Sequence, residues 1–158
     1  MLVLLDQGPD YVIGGVGTLF VTVVRRVPKL HMLEAIDRAE GAFVGRAKGP
    51  IRSLFVVREI EVTAPPDAAF RERSLALMER YGPHLVATAQ VIEGDGFKTS
   101  IIRGFATGVT LLSRQKVPTR SFATVDTAVA WLAGLGTPDR ALLQASPIVG
   151  EIAALQPG

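Results

Sequence analysis

Apolar positions along the chain follow two rhythms that alternate with each other. Leu19 to Val24, LFVTVV, is an unbroken apolar and β-branched run and predicts a strand. Ahead of it, Met1 to Leu5 reads as a short strand or a lead-in, Asp6 to Asp10 as a turn, and Tyr11 to Ile13 as the first arm of a hairpin interrupted by Gly14, Gly15 and Gly17. From Leu30 to about Arg46 the spacing changes to three and four, with Met32, Leu33, Ile36, Ala39, Phe43 and Val44 on one stripe. With Glu34, Asp37, Arg38 and Glu40 elsewhere, that predicts an amphipathic helix. Ile51 to Val62 is a strand whose centre, Leu54 to Val57, has the continuous apolar character of one covered on both faces. Glu59 and Glu61 then project to one side of its emerging end.

The same alternation continues. Asp67 opens a helix carrying Ala68, Ala69, Phe70, Leu75, Met78 and Tyr81, and Gly82-Pro83 stops it. His84 to Val91 is a strand. Phe97 to about Arg114 is a helix through Ile101, Ile102, Phe105, Val109 and Leu112, in which Gly104 and Gly108, one turn apart, suit close packing of the helix on a sheet. In Arg120 to Gly134 a short extended segment leads through a Thr124 cap into a helix with Val125, Ala128, Val129 and Leu132 on one face. Thr137-Pro138 and Ser146-Pro147 are two further helix starts, giving helical pieces at Asp139 to Gln144 and Ile148 to Leu155.

Strands and helices in this order predict an α/β fold: a mixed central sheet with right-handed crossovers, flanked by about four helices and followed by a helical tail. Residues 1–136 form the domain, and residues 137–158 an extension whose Leu142, Leu143, Ile148, Val149, Ile152 and Leu155 dock on that domain or on a second copy. A chain of 158 residues has room for one such domain.

Composition narrows the chemistry. Seventeen Lys and Arg against 15 Asp and Glu leave a net charge of +2, which speaks against a dedicated nucleic-acid binder. With no cysteine there are no disulfides, thiolate metal sites or cysteine nucleophiles. The apolar run at the N-terminus is too short for a signal peptide or a membrane span, so a cytoplasmic location is expected. The glycines near residue 15 lead into a strand, whereas a phosphate-cradling loop leads into a helix. His31 and His84 lie in no recognisable motif, and Glu59 with Glu61 lacks a third ligand nearby. No catalytic residue, metal site or cofactor is indicated, and the chain does not read as an enzyme.

The closing segment Ser121 to Leu132, SFATVDTAVAWL, together with the element order, resembles the STAS-type fold of anti-sigma-factor antagonists, especially the SpoIIAA-like (STAS/SEC14-like) proteins. The resemblance spans roughly Tyr11 to Leu135. In switched members of that family a strand ends in an Asp-Ser-Ser/Thr-Gly turn, and the serine at the following helix takes a phosphate. Here the turn is Thr63-Ala-Pro-Pro-Asp67, with no serine or glycine, and Ser74 lies two turns into the helix. The resemblance thus implies a single STAS-like domain that acts as a non-catalytic interaction or regulatory module without the usual switch. Its partner would be another protein or a second copy, met through Thr63 and Asp67 and through Gly94, Asp95, Gly96 and Phe97. The alternative is a domain binding a small apolar ligand or lipid, which requires an apolar cavity with a few converging polar groups.

Overall fold

The computed structural model describes residues 1–158 except Val62, Thr63, Asp95, Gln144 and Gly158, and except the side chains of Phe97, Leu143, Ala145 and Ser146. Six strands form one sheet in sequence order. β1 (Val3–Gly8), β2 (Tyr11–Val16) and β3 (Leu19–Arg25) make an antiparallel meander. β4 (Ile51–Arg58), β5 (Leu85–Ile92) and β6 (Thr119–Phe122) continue it in parallel from β3. The parallel connections run through α1 (Leu30–Arg46), α2 (Ala68–Tyr81) with a 3-10 turn at Gly82–His84, and α3 (Phe97–Leu112). After β6 come α4 (Val125–Ala133), α5 (Arg140–Leu143) and α6 (Ala145–Ala154).

Because each parallel strand is added on the same side of the last, crossovers of one hand fall on one face of the sheet. Phe20, Val24, Ile51, Val57 and Ile92 of that face pack with Met32 and Ile36 of α1, Phe70, Leu77 and Tyr81 of α2, and Ile102 of α3. The opposite face, including Val21, Val23, Leu54, Val56, Ala89 and Val91, is covered by the helices C-terminal to β6. Val125, Ala128, Val129 and Leu132 of α4, the stripe expected from sequence, are all buried there, joined by Leu142 of α5 and Ile148 and Ile152 of α6. Residues 137–158 therefore supply part of the domain's own second core.

Two arginines on β4 tie down that second layer. Arg52, only 1% exposed, donates from Nε to the Leu132 carbonyl at 2.9 Å, from Nη2 to the carbonyls of Leu135 and Thr137, and from Nη1 to Thr18 Oγ1 at 2.6 Å. Its charge sits at the C-terminal, negative end of the α4 dipole. Thr18 passes the linkage on, its N–H and hydroxyl each donating to Asp139 Oδ2 at 2.7 Å. Burial pushes the Asp139 carboxyl up, but the Thr18 donors, the Ala141 N–H and the Arg52 charge outweigh it and hold the group below its ordinary value. Arg58, six residues on and on the same face, donates to the carbonyls of Leu155 (2.6 Å) and Ile152 (3.2 Å) at the end of α6.

Several local expectations are corrected by the structure. Gly14 and Gly15 do not interrupt the hairpin; they lie inside β2 opposite Val21 and Phe20. A Cβ on Gly15 would stand 2.5 Å from the Phe43 ring, so glycine there lets α1 rest on the strand. The turn is at Gly17, whose φ of 56° lies in the left-handed region. β1 runs to Gly8 instead of ending at Leu5. β4 stops at Arg58, because Glu59 takes a φ of 48°, so Glu59 and Glu61 share no strand face; they stand 3.3 Å from Arg25 and 3.9 Å from Arg26. Thr124 precedes α4, but its hydroxyl meets Thr127 Oγ1 at 2.8 Å and caps no backbone N–H. Asp139, in place of Thr137, caps α5 through the Ala141 N–H at 2.9 Å, and α6 begins at Ala145 with Pro147 in its first turn. On α2 it is Leu77, not Leu75, that joins Phe70 and Tyr81 in the core. Gly104 and Gly108 face open space, with nothing within 4 Å of where a Cβ would sit.

Candidate functional site

Two loops that carry the sequence-derived partner residues follow the C-terminal ends of β4 and β5, neighbouring parallel strands, and so share one end of the sheet. Thr63 and Asp95 lie outside the described residues, and Phe97 begins α3. Asp67 is the N-cap of α2, its Oδ1 accepting the Phe70 N–H at 2.9 Å. Gly94 and Gly96 have φ of 101° and 88°, and the Gly96 carbonyl accepts from Thr99 Oγ1 at 2.8 Å and from the Ser100 N–H at 3.2 Å. Asp67, Gly96 and Phe97 thus each have a part in starting a helix. Glu59, Ile60, Glu93, Gly94, Lys98 and Thr99 line an open cleft of about 280 Å³ at this end. His31 and His84 are both exposed, and among the described residues no group of three His, Asp or Glu side chains is placed to hold a metal ion.

A second space lies between the sheet and the three crossover helices. It has a volume of about 200 Å³, smaller than the cleft but more enclosed, and its walls are mostly apolar. Enclosure matters more than size here, because affinity for a small molecule comes from removing most of its surface from water. Leu33 and Ile36 of α1, Phe70, Leu77 and Met78 of α2, and Ile102, Phe105 and Val109 of α3 form the roof and sides. Phe70 and Phe105 meet across α2 and α3 with ring centroids 5.6 Å apart.

The floor is the sheet, and it is mixed, with hydroxyls and an amide among Phe20, Phe55, Val57 and Ile92. Register aligns Phe20, Ser53, Thr88 and Thr119 in one cross-strand row over β3 to β6, and Thr22, Phe55, Gln90 and Ser121 in the next. All but Ser121 line the cavity. On the reverse of the same strands Val21, Val23, Leu54, Val56, Ala87, Ala89 and Val91 form an apolar centre, with Arg52 and Arg58 at the two ends of β4 bonded to backbone carbonyls of the C-terminal segment. Ser53, Phe55, Thr88 and Gln90 remain only half-buried although they occupy inner strands beneath helices. The run Leu54 to Val57 is covered on both faces as expected, with Phe55 partly buried against the helix-side core, where the crossover helices stand off the centre of β4 and β5.

One wall residue is ionisable and anomalous. Glu40 of α1 is 6% exposed and lines the cavity, and among the described residues its carboxyl makes no hydrogen bond or ion pair. Burial, reinforced by the nearby charge of Asp37, pushes it up to about 8, so it is mostly protonated at neutral pH. Asp37, one turn back, is the contrasting case. It accepts from Arg73 Nη2 at 2.6 Å, from Arg80 Nη1 at 2.9 Å and from the Tyr81 hydroxyl. Burial pushes the Asp37 carboxyl up, but those three donors outweigh it and the group stays below its ordinary value. Tyr81, buried and bonded to Asp37, is pushed up to about 12. Gly41 makes room for the arrangement, since a Cβ there would stand 2.9 Å from the Tyr81 hydroxyl.

Sequence reasoning leaves Glu40 off the apolar stripe of α1, whereas the structure buries it with that stripe. Glu40 stands four residues after Ile36 and seven after Leu33, which is on the apolar stripe by spacing. The floor also leaves a trace in the sequence: in LVATAQVI, polar Thr88 and Gln90 alternate with Ala87, Ala89 and Val91, the period of a strand whose faces differ.

No helix among the described residues is long and apolar enough to cross a membrane. No family model, curated protein or solved structure matches the chain.

Proposed function

We propose that the domain binds a small, predominantly apolar molecule between the sheet and α1 to α3. The observation that carries this reading is the difference between the two faces of the sheet: one is closely packed around an apolar centre, and the other sets hydroxyls and an amide among apolar side chains beneath a partly enclosed space. Side chains that served packing alone would be apolar on both faces. An apolar cavity of about 150 Å³ is already large enough to take benzene, so the ligand is of the order of one ring with a short substituent. The test is methyl NMR of the folded protein titrated with 2-phenylethanol. Resonances of Leu33, Leu77, Ile102 and Val109 shift together while those of Leu54, Val129 and Leu142 on the other face stay still. No shift at millimolar probe, or shifts confined to the far face, refutes the reading.

A second reading is a protein-interaction module of the STAS-like kind suggested by the Ser121 to Leu132 segment. It is favoured by the exposure of Leu111 (74%) and Leu112 (62%) at the end of α3. A light-scattering mass that stays monomeric at high concentration, with no change on replacing both leucines by Lys, counts against self-association through that patch.

A further inference from the structure

Resting on the reading of the cavity as a ligand site, we propose that Glu40 recognises the head of the ligand and that this head is an amine. The ammonium would pair with the Glu40 carboxylate, while the apolar body lies between the phenyl rings and the sheet. Three observations converge on this assignment. Glu40 is the one acidic side chain lining the cavity among the described residues, and no Lys, Arg or His lines it, so a carboxylate or phosphate ligand finds no counter-charge there. Arg73 and Arg80 on α2, the cations that meet Asp37 one turn before Glu40, are already bonded to that carboxylate, and Arg73 to Glu34 as well. Glu40 is therefore the carboxyl of this group left without a cation among the described residues, and it faces the cavity. The carboxyl is also largely buried in the free protein, so on binding most of the hydration still to be lost is the ammonium's, and the carboxyl gives up its proton.

The surroundings of Glu40 make the assignment measurable. Asp37 on its own helix adds negative charge, Arg73, Arg80 and Tyr81 of α2 hold Asp37, and neither the sheet floor nor α3 brings a charged side chain into the cavity. An ammonium binding to the protonated carboxyl must expel that proton, so amine affinity rises with pH until the carboxyl is ionised in the free protein. A neutral ligand that accepted a hydrogen bond from the carboxyl would show the opposite slope.

The experiment compares 2-phenylethylamine, 2-phenylethanol and 3-phenylpropionate, which share a ring and differ in the head, by methyl NMR titration of the wild type and of Glu40→Gln. The amine binds about tenfold more tightly than the alcohol, as a charge-assisted hydrogen bond requires, and the carboxylate binds most weakly. Glu40→Gln brings the amine to the level of the alcohol and leaves the alcohol within about twofold of its wild-type affinity. In the wild type the amine affinity climbs between about pH 6 and pH 8, and in Glu40→Gln it does not. Equal binding of amine and alcohol by the wild type, or an amine preference that survives in Glu40→Gln, overturns the head-group assignment and leaves the cavity reading standing. Failure of all three probes to bind overturns both.

Discussion

Replacing Glu40 by Gln exchanges a buried carboxyl for an amide of the same shape, and its effect on stability is set by where the carboxyl titrates. In the unfolded chain the group ionises near 4.5, and in the folded protein only near 8, so between those values the native state holds a proton that the unfolded state has released. Stability therefore falls as pH rises through that window, by about 1.4 kcal/mol per pH unit. Below the window the carboxyl costs nothing extra, and above it the loss is complete and approaches about 5 kcal/mol as an upper bound. Glu40→Gln lacks this slope. Its urea midpoint should match the wild type at about pH 4.5 and exceed it progressively toward pH 8, with a gain of about 3 kcal/mol at pH 7 if the pocket stays dry. A pH-independent difference between the two proteins refutes the reasoning, for it would mean that water or a partner already stabilises the Glu40 carboxylate.

The packing sets three further outcomes. Gly104→Ala and Gly108→Ala each stabilise the protein by about 0.5–1 kcal/mol in urea melts, since the new methyl meets nothing and the helix gains intrinsic preference. Arg52→Met leaves the carbonyls of Leu132, Leu135 and Thr137 without their donor, and lowers stability by about 3 kcal/mol or more, seen as a fall in the urea midpoint. Asp37, whose carboxyl is depressed on folding, contributes stability above its unfolded value that is lost as pH falls through the folded one. Asp37→Asn therefore destabilises at neutral pH by about 1–3 kcal/mol, and the gap to wild type closes in acid.

The sequence reveals whatever a single element expresses by itself. The bounds of α1 and the buried stripe of α4 follow from periodicity, because each helix has one face to hide and solvent on the other. The interruptions mislead where a distant residue decides the geometry. Gly15 looks like a break in the strand until Phe43 is seen to need its missing side chain, and Gly104 with Gly108 look like a packing seam until both prove to face open space. Glu40 is left off the apolar stripe by chemical type, whereas its spacing points inward. Its burial depends on α2 and on the floor of the sheet, neither of which lies near it in sequence. The cavity is likewise a property of how far three helices stand off four strands, and no local pattern records that distance.

The placement of every crossover on a single face also governs how the protein is made. During synthesis the chain can pair its strands one after another, each with the neighbour just completed, but every parallel pairing has to wait for its crossover helix and close a long loop. The reverse side of the sheet has no cover until the ribosome has delivered the last three helices. Until then a wide valine-rich surface is bare on the nascent chain, and it is in that interval that a chaperone would be needed to prevent aggregation.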